Sequence, residues 1–329
     1  MKYMLVVALV HAMGFGSLML FGRDPALLGL GILAYTLGLR HAFDVDHIAA
    51  IDNMVRKLLE HKERPAGVGF YFSIGHSTVV FLLAVGTALA SNWVQHSIPQ
   101  LDQFGGLLGT TISGVFLLLM GGLNLAVLMS MFRVFLGLRR RELESGVIEK
   151  LLHSRGLFSR LLRPWMKLVT RSWHAYPIGV LFGLGFDTAS EVALLTISSL
   201  AVKHDHAIGS VLALPTLFAA GMSLFDTADG TLMIGAYRWA FTTPLRKLYY
   251  NLTVTGLSVA AAVLIGLVEV GQVIAAKVGL KGPLWVWLQA IDFGQLGYWL
   301  CGLFLLTWLL SYGVWKVFRL ETRWCSGYE

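Results

Sequence analysis

Long apolar stretches separated by short polar ones dominate the 329-residue chain. Eight of them reach the roughly 20 residues that a helix needs to cross the hydrocarbon core of a bilayer. They run over about 3–22, 26–52, 67–92, 104–136, 175–201, 207–237, 246–276 and 287–316. The first opens on Lys2 and a short apolar run, as a signal peptide does. No small-x-small cleavage site follows it, and apolar residues continue to Phe21, so it reads as a retained helix. The pattern predicts an all-α polytopic membrane protein of about eight transmembrane helices. A first half at 1–136 and a second half at 175–329 flank a basic linker at 137–174.

Composition supports that class and removes others. Hydrophobic residues make up 56% of the chain and charged ones 14%, which leaves too little polar sequence to cover a soluble fold of this size. The wealth of aliphatic and aromatic residues excludes disorder. Cys301 in an apolar run and Cys325 in the tail do not make a disulfide scaffold.

Charge sets the orientation. Lys and Arg exceed Asp and Glu by 26 to 19, and the basic residues are segregated. Most fall at the amino end, at 53–66, from Arg133 through Arg171, at 238–247 and at 316–329. The other side of the predicted bundle holds only Arg23, Lys203, Lys277 and Lys281, and Arg40 lies inside a span. The positive-inside rule then places both termini and the linker in the cytoplasm. The linker, with RRRELESGVIEK and LFSRLLRPWMKLVTR, reads as an amphipathic helix on the inner leaflet, its basic side chains toward lipid headgroups. It carries no nucleic-acid-binding motif.

Function should lie with the ionisable residues inside the spans, each of which costs at least about 2.5–3.5 kcal/mol at a helix centre. They form four clusters. The second span carries Arg40, His41, Asp44, Asp46, His47 and Asp52 in RHAFDVDHIAAID, and the third carries His76, Ser77 and Thr78 in FSIGHSTVV. Asp187 and Glu191 lie in the fifth, in LGFDTASE, and Asp226 and Asp229 in the sixth, in GMSLFDTADG. Glu269 and Asp292 are lone acids, and the place of Glu269 near the outer end of its span suggests simple solvation.

Three imidazoles and several carboxylates without a thiolate suit divalent Ni, Co, Zn or Mn. On a regular helix His41, Asp44 and His47 follow one stripe about 60° apart, with Asp46 off it unless the helix is distorted. Arg40, four residues before Asp44, is placed to neutralise it in the absence of metal. Asp187 and Glu191 share a face, as do Asp226 and Asp229. Gly75 allows a bend or a close approach beside His76, and Ser77 and Thr78 are positioned to orient its ring or cap a broken helix. A buried salt-bridge network that merely fixes helix packing is the competing account of the cluster.

An internal repeat adds architecture. GLGFDTASEVALL echoes GLRHAFDVDHIAAI, with Glu191 opposite His47, and FAAGMSLFD echoes FSIGHSTVV, with Gly221 opposite Gly75. The two pairs of spans run in opposite directions, so the repeat is inverted, an arrangement of secondary transporters with polar sites near midplane.

RHAFDVDHI at 40–48, FSIGHSTVV at 72–80, LGFDTASE at 184–191 and GMSLFD at 221–226 resemble the four motifs of the nickel/cobalt transporter family, NiCoT, in order and in separate spans. The resemblance implies a cytoplasmic-membrane permease for Ni²⁺ or Co²⁺ with both termini inside and an essential HX4DH stretch. Carried over by position, the metal-handling candidates are His41, Asp46, His47 and, more loosely, Asp44 and His76. Val45 stands where the family has Ala, and Ser190 where it has Thr. Phe43 and Val45 flank the ligands, so metal preference stays open.

The resulting expectation is a permease whose metal is cargo and which needs no cofactor. No GxxxxGK[ST] motif is present, so no ATPase is required. A divalent cation moving inward gains about 4.6 kcal/mol per 100 mV, enough for roughly thousandfold accumulation. Proton coupling through the carboxylates is an alternative source of drive. A proton-coupled efflux transporter is the competing reading, and an intramembrane metal enzyme a remote one, since neither HExxH nor GxSxG occurs. His204, Asp205 and His206 form an outer loop that either concentrates metal or is plain polar surface. Oligomeric state is not legible.

Overall fold

The computed structural model describes residues 2–21, 25–60, 63–89, 110–126, 169–184, 208–240 and 256–291, together with shorter pieces that include Glu191, 193–198 and 297–300. Most of the basic linker, the outer His204–His206 loop, Asp187 and Asp292 lie outside the described residues. Nine helices are used below: α1 (Lys2–Phe21), α2 (Pro25–Ala42), α3 (Val45–Glu60), α4 (Val68–Leu89), α5 (Thr110–Ala126), α6 (Ala175–Gly183), α7 (Ile208–Ala240), α8 (Gly256–Val278) and α9 (Pro283–Gln289). No strand occurs among the described residues.

The apolar runs and the helices coincide because a chain in hydrocarbon must satisfy its backbone internally. Lys2–Leu20, Val68–Gly86 and Gly256–Val278 are each long and apolar enough to cross a bilayer, and α2 with α3 forms a fourth, bent candidate. α7 is 33 residues, about 50 Å of helix, so it has the length to cross as well. Shorter apolar helices at Thr110–Ala126 and Gly297–Thr307 fall within the fourth and eighth predicted spans, and α6 falls within the fifth. Large apolar side chains face outward, among them Leu5, Met13, Met19 and Leu20 on α1 and Leu264 and Leu267 on α8. That is the inverse of a soluble surface and suits lipid.

The second predicted span departs from expectation. Instead of one helix over 26–52, α2 and α3 meet at a 54° bend. Phe43 N–H donates to the Arg40 carbonyl at 3.0 Å and Asp44 N–H to the His41 carbonyl at 2.9 Å, which tightens the end of α2. The next helix restarts with Ile48 N–H on the Asp44 carbonyl at 3.3 Å. No Pro or Gly marks the break. Its cause is tertiary: the Phe43 carbonyl is turned out against Gly297, where any Cβ would collide with it. The Phe43 ring packs on Phe225 and Tyr298, with centroids 3.7 and 4.9 Å away.

α7 packs against α1, α2, α3 and α4, while α6 packs against α4. The two halves are therefore interleaved, and two crossings match. Ala34-Tyr35-x-x-Gly38 on α2 meets α7 so closely that a Cβ on Gly38 would strike the Phe218 carbonyl and one on Gly221 the Tyr35 carbonyl. Ala175-Tyr176-x-x-Gly179 on α6 meets α4 in the same way: Gly179 lies on the Phe72 carbonyl and Gly75 on the Tyr176 carbonyl. Equivalent residues thus make equivalent contacts, crosswise between halves. Close backbone approach through small residues is how helices associate where lipid offers no hydrophobic drive. Matching crossings of this kind are what an internal repeat produces, with Gly38 corresponding to Gly179.

Candidate metal site

The bend sets the C-terminal end of α2 beside the N-terminal end of α3. His41 lies in the last turn of α2 and His47 in the first turn of α3. The carbonyl end of a helix favours a cation, and the amide end favours carboxylates such as Asp44 and Asp46. Broken helices in membranes place ion sites at such ends. The continuous stripe expected for His41, Asp44 and His47 is thus replaced by convergence across a break.

His76 joins them from α4. One ring nitrogen from each of His41, His47 and His76 falls within a set whose members all lie within 4.8 Å of one another. The ring centroids are 4.7 to 4.8 Å apart, and the three side chains are 0 to 2% exposed. Donors bound to one ion at about 2.1 Å are at most about 4.2 Å apart. A small inward rotation of a ring closes the set.

The surrounding partners select the nitrogens. Nδ1 of His41 lies 3.1 Å from Asp44 Oδ2, and a proton on Nδ1 leaves Nε2 as a lone pair. That Nε2 is 2.9 Å from Nε2 of His76 and 3.7 Å from Glu191 Oε1, while His76 Nε2 is 2.8 Å from the same carboxylate oxygen. At these separations the three atoms share a proton in a hydrogen bond, and a bound cation takes the proton's place. Nδ1 of His47 lies 3.4 Å from Asp226 Oδ2, and its Nε2 is buried without a hydrogen-bond partner. Buried polar atoms of this kind call for an explanation, and a role as ligands of a transported cation supplies one. Phe72 and Phe218 wall the site, with centroids 4.9 Å from His47 and 5.6 Å from His41.

The remaining candidates take distinct places. Asp46 is half-buried, and its Oδ1 accepts the His47 backbone N–H at 2.9 Å, so it steadies the backbone of a ligand. Arg40 is half-buried in the last turn of α2, while Asp44 is engaged by His41. Glu191 and Asp226 stand directly beside the imidazoles. Asp229 is buried one turn beyond Asp226. Ser77 and Thr78 do not orient His76: Thr78 bonds the Ile74 carbonyl at 2.7 Å, Ser77 Oγ is buried without a partner, and α4 runs unbroken past both. Gly75 serves close approach rather than a bend. Glu269 is not solvated; it is 3% exposed and accepts a hydrogen bond from Ser113 at 3.1 Å.

Sequence reasoning missed a second polar set. Arg56 and Lys57, counted with the loop at 53–66, are buried within α3. Asn53, Asn124, Tyr237 and Ser258 are bonded to them or to Asp52 and its neighbours. The continuation of polar residues past Asp52 in DNMVRK was the available signal. His11 was also passed over; its Nδ1 lies 2.8 Å from the Val7 carbonyl, outside the imidazole group.

Comparison with known proteins gives the family. The family described as high-affinity nickel-transport protein, NicO, matches residues 27–314. "Nickel transporter NixA" of Staphylococcus aureus is 53% identical over 325 residues, covering 98% of this chain and 96% of that protein. "Nickel transporter NicT" of Mycobacterium tuberculosis is 48% identical, with 97% of this chain and 89% of its own length covered. "Cobalt transport protein NhlF" of Rhodococcus rhodochrous is 43% identical, with 92% and 88% covered. No solved structure matches the chain. With a match from residue 27 to residue 314 and relatives similar over nearly their whole length, the chain belongs to the high-affinity nickel-transport protein family.

Proposed function

We propose that the chain imports Ni²⁺ and Co²⁺ across the cytoplasmic membrane, with His41, His47 and His76 as the imidazole ligands and Glu191 and Asp226 as the carboxylates beside them. The convergence of these five buried side chains, drawn from both halves of an inverted repeat, is the observation that carries the reading. The chain is a transporter and not an enzyme. The cation enters from outside, exchanges water for imidazole and carboxylate at the bend, and leaves inward. Membrane potential supplies the drive, and the segregated basic residues support placing both termini in the cytoplasm.

Radiolabelled Ni²⁺ uptake into cells with and without the protein tests direction: accumulation is expected, and depletion means export. Selectivity follows from donor chemistry. Imidazole and carboxylate favour late divalent ions over Mg²⁺, whereas Zn²⁺ accepts tetrahedral sites that Ni²⁺ disfavours. Ni²⁺ and Co²⁺ are therefore expected to compete with each other, Zn²⁺ to inhibit weakly, and Mg²⁺ in large excess to have no effect. Potent block by Mg²⁺ contradicts the imidazole site.

A further inference from the structure

A second buried polar set extends from the imidazoles toward the Glu60 end of α3 and the Ala240 end of α7, the side assigned above to the cytoplasm. Asp229 lies one turn beyond Asp226 on α7, where a Cβ on the adjacent Gly230 would meet the side chain of Ile51, the neighbour of Asp52 on α3. The Oδ2 atoms of Asp52 and Asp229 are buried and have no hydrogen-bond partner. The other oxygen of Asp52 is fixed: Oδ1 accepts the Tyr237 hydroxyl at 2.5 Å, and that hydroxyl lies 3.2 Å from Ser258 Oγ on α8.

A cation is already resident beside this set. Arg56, one turn past Asp52 on α3, is fully buried and interacts electrostatically with Asp52. Its Nη2 donates to Asn53 Oδ1 at 2.8 Å, and the same oxygen accepts from Asn124 Nδ2 on α5 at 2.5 Å. Four helices thus enclose one buried guanidinium a helical turn from a carboxylate whose Oδ2 is buried without a hydrogen-bond partner. A guanidinium taken out of water this completely is costly unless charge compensates it. A divalent ion brings twice its charge, and carboxylate and hydroxyl oxygens bind Ni²⁺ less tightly than imidazole does. Conduction needs successive sites from which the ion can also leave.

We propose that Asp52 and Asp229 form a second, oxygen-only station for the divalent cation between the imidazoles and the cytoplasm, with Arg56 as the counter-ion that the metal displaces there. The proposal rests on the import reading above. Arg56 keeps the station's affinity low: it returns to Asp52 as the metal moves on, so the ion does not lodge before release.

Equilibrium binding of radiolabelled Ni²⁺ to the purified full-length protein, with uptake into proteoliposomes, tests this. The wild type should bind one ion per chain, lost in His47→Ala. Arg56→Gln should bind two, and the Arg56→Gln/Asp52→Asn double variant one. Asp52→Asn alone should keep the single ion at near wild-type affinity and slow uptake by roughly tenfold or more. One ion in folded Arg56→Gln, or unchanged uptake in Asp52→Asn, overturns the proposal. If Arg56→Gln does not fold, the split between binding and uptake in Asp52→Asn decides by itself. Retention of the ion by His47→Ala would instead refute the imidazole site, a distinct failure.

Discussion

His47→Ala is expected to lower Ni²⁺ uptake by about a hundredfold or more while leaving folded protein in the membrane at near wild-type abundance. His47 stands at the first turn of α3 with Nε2 buried and unsatisfied, among His41, His76 and Phe72. Its hydrogen-bonding capacity is poorly used by the protein itself, so removing the ring takes little from the fold and much from the cation. A salt-bridge network that merely fixed helix packing would behave in the opposite way. Losing one partner of a buried ion pair costs about 3–5 kcal/mol because the other is left uncompensated. Uptake assays paired with thermal unfolding in detergent separate the two. A variant that is abundant and still transports would remove His47 from the site.

Asp226→Asn should weaken Ni²⁺ binding by roughly 10- to 100-fold, the usual cost of losing an outer partner of a ligating histidine. Its Oδ2 lies 3.4 Å from His47 Nδ1, and the residue is fully buried. With a proton on Nδ1, the carboxylate orients the ring, raises its basicity and leaves Nε2 for the metal. Asparagine keeps the shape but loses the charge, so titration of Ni²⁺ against the purified variant should show lower affinity at unchanged folded yield. Unaltered affinity would mean that Asp226 acts elsewhere on the path.

The helical membrane fold was largely legible because the bilayer imposes a length and an apolar composition on every span. Spans predicted at 67–92 and 207–237 appear as Val68–Leu89 and Ile208–Ala240. The break at Phe43–Asp44 was not legible, since nothing local demands it. It depends on Gly297, far away in the chain, receiving the Phe43 carbonyl. For the same reason the continuous stripe expected for His41, Asp44 and His47 is not the geometry found. Helical spacing put His41, Asp44 and His47 on one continuous stripe, whereas the bend sets His41 and His47 together across a break and the packing of α7 against α3 brings Asp226 onto His47. Glu269 looked wet from its place near a span end, but its partner Ser113 lies 156 residues away, on α5. Arg56 was hidden by the convention that basic residues beyond a span are loop, because one buried guanidinium looks like any other positive charge in a sequence.

X-ray absorption of the Ni²⁺-loaded, full-length protein tests the central claim most directly, since it reports the atoms around the metal without reference to transport. A coordination shell of nitrogen and oxygen only, with the multiple-scattering signature of about three imidazoles, is the result this account predicts. A shell of oxygens without imidazole would contradict it.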